Sequence, residues 1–355
     1  MIRTRHAVAA AIAAGALLAS AACTGGSHPA ATPTHTPTPT QTTPSPTPTK
    51  KPAPRPPAKN PFTGIGRVPN RSTIAVKIDD TAPGRPQVGI DKADIVYIEA
   101  VEGGLTRLAA VFGTYKPKHV GYVRSTRPSD PDLLLQFGKI TEAYSGGAHD
   151  SLPRVRRSGI TSWSMDSGRP GYRRSPHSGD HGYINVVLNL ARVAARVKTP
   201  RPKSIGWSFD PSLSGLPARF GKDVHTEVTG SYRHGTHVDF RYWPKLHKYV
   251  RLIGGVPQRA ADHKWVAATN VIVQRCRVRS HPQDTDIAGN PSQFTVTVGR
   301  GKVTVFRQGK RIVGTWTRHR LGDGTTLRTP GGKRIPLAPG NTWVVLIRNG
   351  VPVKV

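Results

Sequence analysis

From Phe62 onward, apolar and polar positions change over in short runs. Ile74-Ala75-Val76-Lys77-Ile78 ends in Asp79-Asp80 and predicts a buried strand, and Ile95-Val96-Tyr97-Ile98-Glu99 and Leu108-Ala109-Ala110-Val111-Phe112 predict two more. Helical spacing is sparser. Residues 131–137 and 184–197 fit it best, the second stretch placing Val187, Leu190, Ala191 and Ala194 on one face. Beyond Pro217 the texture is strand and turn. Val238 to Tyr242 and Phe294 to Val298 alternate, Val303 to Phe306 leads through Gln308-Gly309-Lys310 into Ile312 to Trp316, and Trp343 to Ile347 followed by Asn349-Gly350 predicts a closing hairpin to Val355. The expected fold class is therefore α+β: a mixed α/β N-terminal domain over 62–215, then a β-rich C-terminal domain over 216–355.

The first 61 residues follow neither pattern. Arg3 and Arg5 precede a small-residue apolar run from Ala7 to Leu18 that closes on Ser20-Ala21-Ala22-Cys23. The run is too short for an ordinary membrane span and reads as a signal peptide over 1–23. A cysteine at the cut is similar to the bacterial lipobox, whose thiol is diacylated, so Cys23 is the candidate lipidation site; an ordinary secretory cut is the alternative. Residues 24–61 hold 12 prolines and 10 threonines, with no acid and no Phe, Trp or Tyr. Such a segment buries no core and is expected to be a disordered, polyproline-II-like tether of up to about 3.1 Å per residue.

Charge then narrows the partners. The chain of 355 residues carries 52 Lys and Arg against 20 Asp and Glu. Six of the 52 lie before Phe62, which leaves 46 against 20 in the globular part. A surface of this kind attracts polyanions over about a Debye length, roughly 8 Å at physiological salt. Nucleic acid is the usual partner of such charge, but an exported chain disfavours it and points to anionic wall polymer or lipid. The only cysteines, Cys23 and Cys276, exclude a disulfide scaffold and a cysteine-rich metal centre.

Candidate chemistry is thin. There is no phosphate-binding glycine loop, no His-Glu-x-x-His and no Gly-x-Ser-x-Gly, and no cofactor or metal is expected. Arg275 and Arg277 flank Cys276 and could lower its pKa. Ser145 and His149, around Gly146-Gly147, could form a nucleophile and base, and His177-Ser178-Gly179-Asp180-His181 offers possible metal ligands; a polar turn is the plainer reading of both. The densest set is Asp79, Asp80, Glu99, Glu102, Arg107, Arg124 and Arg127, which recur at strand ends. Converging on one sheet edge, these would be ligand-binding residues, with arginines gripping an anion and paired acids holding a cation or a proton. A structural ion-pair network is the alternative, with Glu102 and Arg107 bracing the Gly103-Gly104 turn.

Several of these segments resemble the YerB-like lipoprotein family of Gram-positive envelopes: Ile74 to Asp80, Arg85 to Gly89, Lys92 to Tyr97, Glu102 to Arg107 and Gly121 to Arg127. Tyr249-Val250-Arg251, Asn270 to Val273, Gly314-Thr315-Trp316 and Pro339 to Trp343 extend the likeness through the second half. Asp80 stands where the family usually has Asn. The resemblance implies an N-terminal and a C-terminal domain in an anchored envelope lipoprotein, without an assigned reaction. The expected function is a lipid-anchored binding or scaffold protein at the outer face of the cytoplasmic membrane, with an anionic wall polymer or a wall-synthesis protein as partner. An envelope hydrolase or transferase using the acid–arginine cluster is the alternative, and an open cleft with Asp80 and Glu102 facing each other would mark it.

Overall fold

A computed structural model of the chain describes residues 59–177, 182–230 and 235–355. Residues 1–23, and with them Cys23, and nearly all of 24–61 lie outside the described residues. Strand dominates, the helices are short, and none of the described helices is long and apolar enough to cross a membrane.

The runs at 74–78, 95–99 and 108–112 form strands Ile74–Asp79, Ile95–Ala100 and Thr106–Phe112, buried along their whole length. They sit inside a 12-stranded sheet. Its order runs from Thr326–Arg328 through Lys310–Arg318, Gly299–Arg307, Asn270–Thr285 and Thr342–Arg348 to Ile95–Ala100. It continues through Thr106–Phe112 and Ile74–Asp79 to Thr141–Tyr144 and Thr161–Ser164. Thr342–Arg348 is the join: it pairs in parallel with Asn270–Thr285 on one side and with Ile95–Ala100 on the other. Strands from before and after residue 216 thus share one hydrogen-bonded sheet.

Period-two alternation gives the sheet two buried faces. Ile74, Val76 and Ile78 join Val96, Ile98, Phe112 and Trp343 on the face that meets a six-stranded sheet containing Asp223–Glu227, His237–Trp243 and Lys248–Ile253. Ala75, Tyr97, Ala109, Val111 and Tyr144 occupy the other face, under Leu133, Leu134 and Phe137. Burial on both faces explains why these strands are apolar over most of both faces instead of alternating.

Two expectations change, and one helix appears that the sequence did not predict. The helical pattern of 184–197 divides into strand Val186–Leu188 and helix Leu190–Ala194, because Asn189 caps the helix by accepting a hydrogen bond from Arg192 N at 2.9 Å. The closing hairpin does not form. Thr342–Arg348 pairs only with its parallel neighbours, and past Gly350 (φ 90°) the chain enters the other sheet, where Val353–Lys354 pairs with Asp223–Glu227. Helix Ser151–Ser158, arginine-rich and with Pro153 in its first turn, gave no apolar stripe to read. Its free amides are held from far along the chain, as Asp284 accepts from Asp150 N at 2.5 Å and Ser151 N at 3.0 Å.

Candidate functional site

The strand register sets the site. Arg107 lies directly opposite both Asp79 and Glu99 on the neighbouring strands, so the three share one line across the sheet. Here the apolar face that holds Tyr97 and Ala109 turns ionic. Asp79 Oδ2 lies 3.1 Å from Arg124 Nε and 3.6 Å from Arg107 Nη2, while Oδ1 accepts from Thr81 N at 2.6 Å. Gly84 permits this closeness, since a Cβ there would fall 2.5 Å from Asp79 Oδ1.

One residue on, alternation turns Asp80 to the opposite face. There Arg251, from the six-stranded sheet, grips both carboxylate oxygens at 2.8 Å, and Thr106 Oγ1 donates at 2.7 Å. Burial alone would raise the Asp80 pKa; the charge and hydrogen bonds of Arg251, with help from Arg85, outweigh it and hold the carboxyl below its ordinary value. Arg251 also lies over the Trp343 ring, 5.4 Å from its centroid.

Glu102 does not brace Arg107. It pairs with Arg127, whose Nε and Nη2 reach Oε2 at 2.9 and 2.8 Å, and it accepts from Ser292 Oγ. Burial pushes the Glu102 pKa up and Arg127 pulls it further down, so the acid stays ionised. The pairing yields a test. A double-mutant cycle on urea midpoints should give a coupling of about 1 to 3 kcal/mol for Glu102 with Arg127, and within about 0.5 kcal/mol of zero for Glu102 with Arg107. The reverse order would contradict the geometry.

A second charged group lies beneath these. Lys77 is buried, bonds Asp130 Oδ1 at 2.7 Å and contacts Glu99 Oε1, and burial lowers its pKa despite the opposing pull of Asp130 and Glu142. Glu99 Oε2 accepts from Ser129 Oγ at 3.1 Å. Thr126 Oγ1 lies 2.7 Å from Glu142 Oε1 and 3.2 Å from Asp130 Oδ2. Burial, reinforced by the Asp130 charge, pushes the Glu142 carboxyl up to about 8.

The fold thus gathers six of the seven candidates, Asp79, Glu99, Glu102, Arg107, Arg124 and Arg127, along one end of one face and sends Asp80 to the other. Asp80 and Glu102 do not face each other across a cleft, because each carboxylate is closed by its own arginine. Residues absent from the sequence reading complete the network: Lys77, Asp130, Glu142 and Arg251. Lys77 and Arg251 had a readable signal, since each is the one charge among the interior positions of its strand, the other charges, Asp79 and Lys248, standing at strand ends.

The remaining candidates do not assemble. His149 is exposed, and no hydrogen bond joins it to Ser145 among the described residues. Burial pushes the Cys276 thiol up to about 12, so the flanking arginines do not activate it. His177 stacks on Tyr122 with ring centroids 3.9 Å apart; residues 178–181 of that motif lie outside the described residues.

Comparison with known proteins gives the same outline. Residues 62–202 match the N-terminal domain, and residues 228–344 the C-terminal domain, of the protein family of unknown function DUF3048. "Putative lipoprotein YerB" of Bacillus subtilis (strain 168) is 26% identical over 303 residues, spanning 81% of this chain and 86% of that protein. The crystal structure of YerB protein from Bacillus subtilis superposes with a TM-score of 0.69 at 22% identity, covering 84% of this chain and 100% of that one, which is a likeness of fold. With both halves matched in order, the chain belongs to the DUF3048 family.

Proposed function

We propose that this protein is a membrane-tethered, polyanion-binding scaffold of the cell envelope, held at the outer face by acylated Cys23 with residues 24–61 as the tether. The observation that carries this reading is where the fold puts its acids. Among the described residues eight acids are buried: Asp79, Asp80, Asp94, Glu99, Glu102, Asp130, Glu142 and Asp284. Among the same residues six of the far more numerous Lys and Arg are buried, namely Lys77, Arg107, Arg127, Arg251, Arg307 and Arg318. Burial therefore removes more acid than base, and the surface is more basic than the composition. The acid–arginine network, closed on itself, serves as the scaffold that keeps those acids inside. A hydrolase would need a carboxyl pair open to substrate, and the pairing of Asp80 and Glu102 with their own arginines weighs against that reading.

The experiment is co-sedimentation of membranes carrying the full chain with a soluble polyglycerol phosphate, using dextran as the neutral control. Retention of the anionic polymer that falls steeply between 50 and 200 mM salt, about 0.7 to 0.9 log units per log unit of salt for each contact, is expected. Cys23→Ser should release the protein from the membrane and leave polymer binding intact. Equal retention of dextran, or no retention of either polymer, would reject the reading.

A further inference from the structure

One stretch of sheet face carries unpaired charge that the network above does not use. In the register of Asn270–Thr285, Gly299–Arg307 and Lys310–Arg318, Val273, Thr304 and Val313 lie side by side, and Phe306 lies beside Arg311. At its Phe306 end this face is roofed by the six-stranded sheet, where Tyr249 meets the Phe306 ring at 6.2 Å. Toward Lys302 the roof ends, and Val313 is 51% exposed. Two adjoining hollows of about 550 and 670 Å³ open there and share Arg311 and Val313. Pro217, Arg219 and Pro330 border the first; Arg275, Lys302 and the segment from Asn349 to Val353 border the second.

The charge of this groove has one sign. Arg219, Arg275, Lys302 and Arg311 line it, no acidic residue does, and among the described residues none of the four forms an ion pair. Arg311 Nε is buried without a hydrogen-bond partner. Arg275 donates to Val351 O at 3.1 Å, and burial lowers its pKa with no carboxylate to offset it. Elsewhere Arg107, Arg124, Arg127 and Arg251 meet carboxylates, and the buried Arg307 and Arg318 spend donors on backbone carbonyls, whereas Arg311 keeps a buried Nε without a partner at the groove.

We infer that this groove seats an extended phosphodiester polymer, whose successive phosphates are held by Arg219, Arg311, Lys302 and Arg275. The inference rests on the polyanion-binding reading and gives that reading a place. Arg219 lies directly opposite Arg311, whereas Lys302 lies opposite Thr315, four residues and so roughly 13 Å along the strand from Arg311; the cations are strung along the groove instead of gathered in one pocket, which suits a chain of anions better than one small anion. The guanidinium fork matches phosphate oxygens, and Val313, Pro217 and Pro330 offer apolar contact to the carbon links between phosphates. The absence of acid in the lining excludes cationic ligands by charge.

The test compares two triple variants of the full chain for binding polyglycerol phosphate. Arg275→Gln, Lys302→Gln and Arg311→Gln empty the groove; Arg192→Gln, Arg196→Gln and Lys198→Gln remove the same charge from an exposed site elsewhere. The groove triple should weaken binding by about tenfold or more and cut the salt slope by about 2 to 3, and the control triple should cost less than about threefold. Lys302→Glu, a reversal at an exposed side chain, should weaken binding without altering the thermal melt and so covers the case of a triple that fails to fold. Equal losses in both triples would leave the polyanion reading standing and overturn the groove. No polymer binding by the unaltered protein would overturn both. A groove triple that loses binding to anionic lipid vesicles but keeps the polymer would overturn the choice of occupant.

Discussion

Replacing Arg251 with Met, so that Asp80 loses its bidentate partner while staying buried, is expected to lower stability by about 3 to 5 kcal/mol. Both side chains are fully buried, and the pair is bidentate at 2.8 Å. Thr106 and Gln87 would remain without a charge to offer, and Arg85, 3.7 Å away and partly exposed, would be the one remaining cation beside Asp80. Asp80→Ala should cost a similar amount by stranding the guanidinium. The double variant Asp80→Leu with Arg251→Met should recover most of the loss, since matched apolar replacement of a buried pair removes the desolvation penalty together with the attraction. Arg85→Ala is the control; it is partly exposed, lies 3.7 Å from Asp80 and should cost no more than about 1 kcal/mol. Urea midpoints of the five proteins measure these differences. A harmless Arg251→Met would mean that the link between the two sheets does not depend on this pair.

The second large effect is a pH dependence centred on Glu142. Its folded pKa of about 8 lies above the ordinary 4.5, so the folded state keeps a proton that the unfolded chain has already released. Stability from this group is fully present below about pH 4.5 and is lost as pH rises to about 8. Glu142→Gln keeps the shape and removes the titration. The stability of the unaltered protein minus that of the variant should therefore fall steadily between pH 5 and pH 8 and then level off. Acids held low by arginines, Asp80 and Glu102, act at the opposite end: their contribution is present above their ordinary pKa and is lost on acidification. They are common to both proteins and cancel in the difference. A flat difference profile across pH 5 to 8 would show that Glu142 is ionised in the folded state.

The cluster was visible in the sequence as a concentration of acids and arginines at strand ends, but its pairing was not. Glu102 and Arg107 lie close in sequence, and that closeness suggested a brace over Gly103-Gly104. The register instead lays Arg107 between Asp79 and Glu99, and Arg127 arrives from a loop 25 residues after Glu102. Asp80 shows the limit more plainly, because its partner Arg251 lies 171 residues away and on another sheet. An ion pair needs only a few ångströms of space, and sequence distance says nothing about which loop will supply the partner.

Strand positions in the first 112 residues, the acid-poor first 61 and the excess of base were properties of the amino-acid order itself. Each follows from local chemistry: apolar runs must be buried, and charge and composition are additive. Only the tertiary structure decided that Thr342–Arg348 inserts between Ile95–Ala100 and Asn270–Thr285, and that the last residues join another sheet instead of closing a hairpin. It also decided that eight acids go inward while Arg219, Arg275, Lys302 and Arg311, among the described residues, form no ion pair on an open face. Parallel pairing and ion pairing are contacts between distant segments, settled by the free energy of the whole assembly, and no local pattern encodes them.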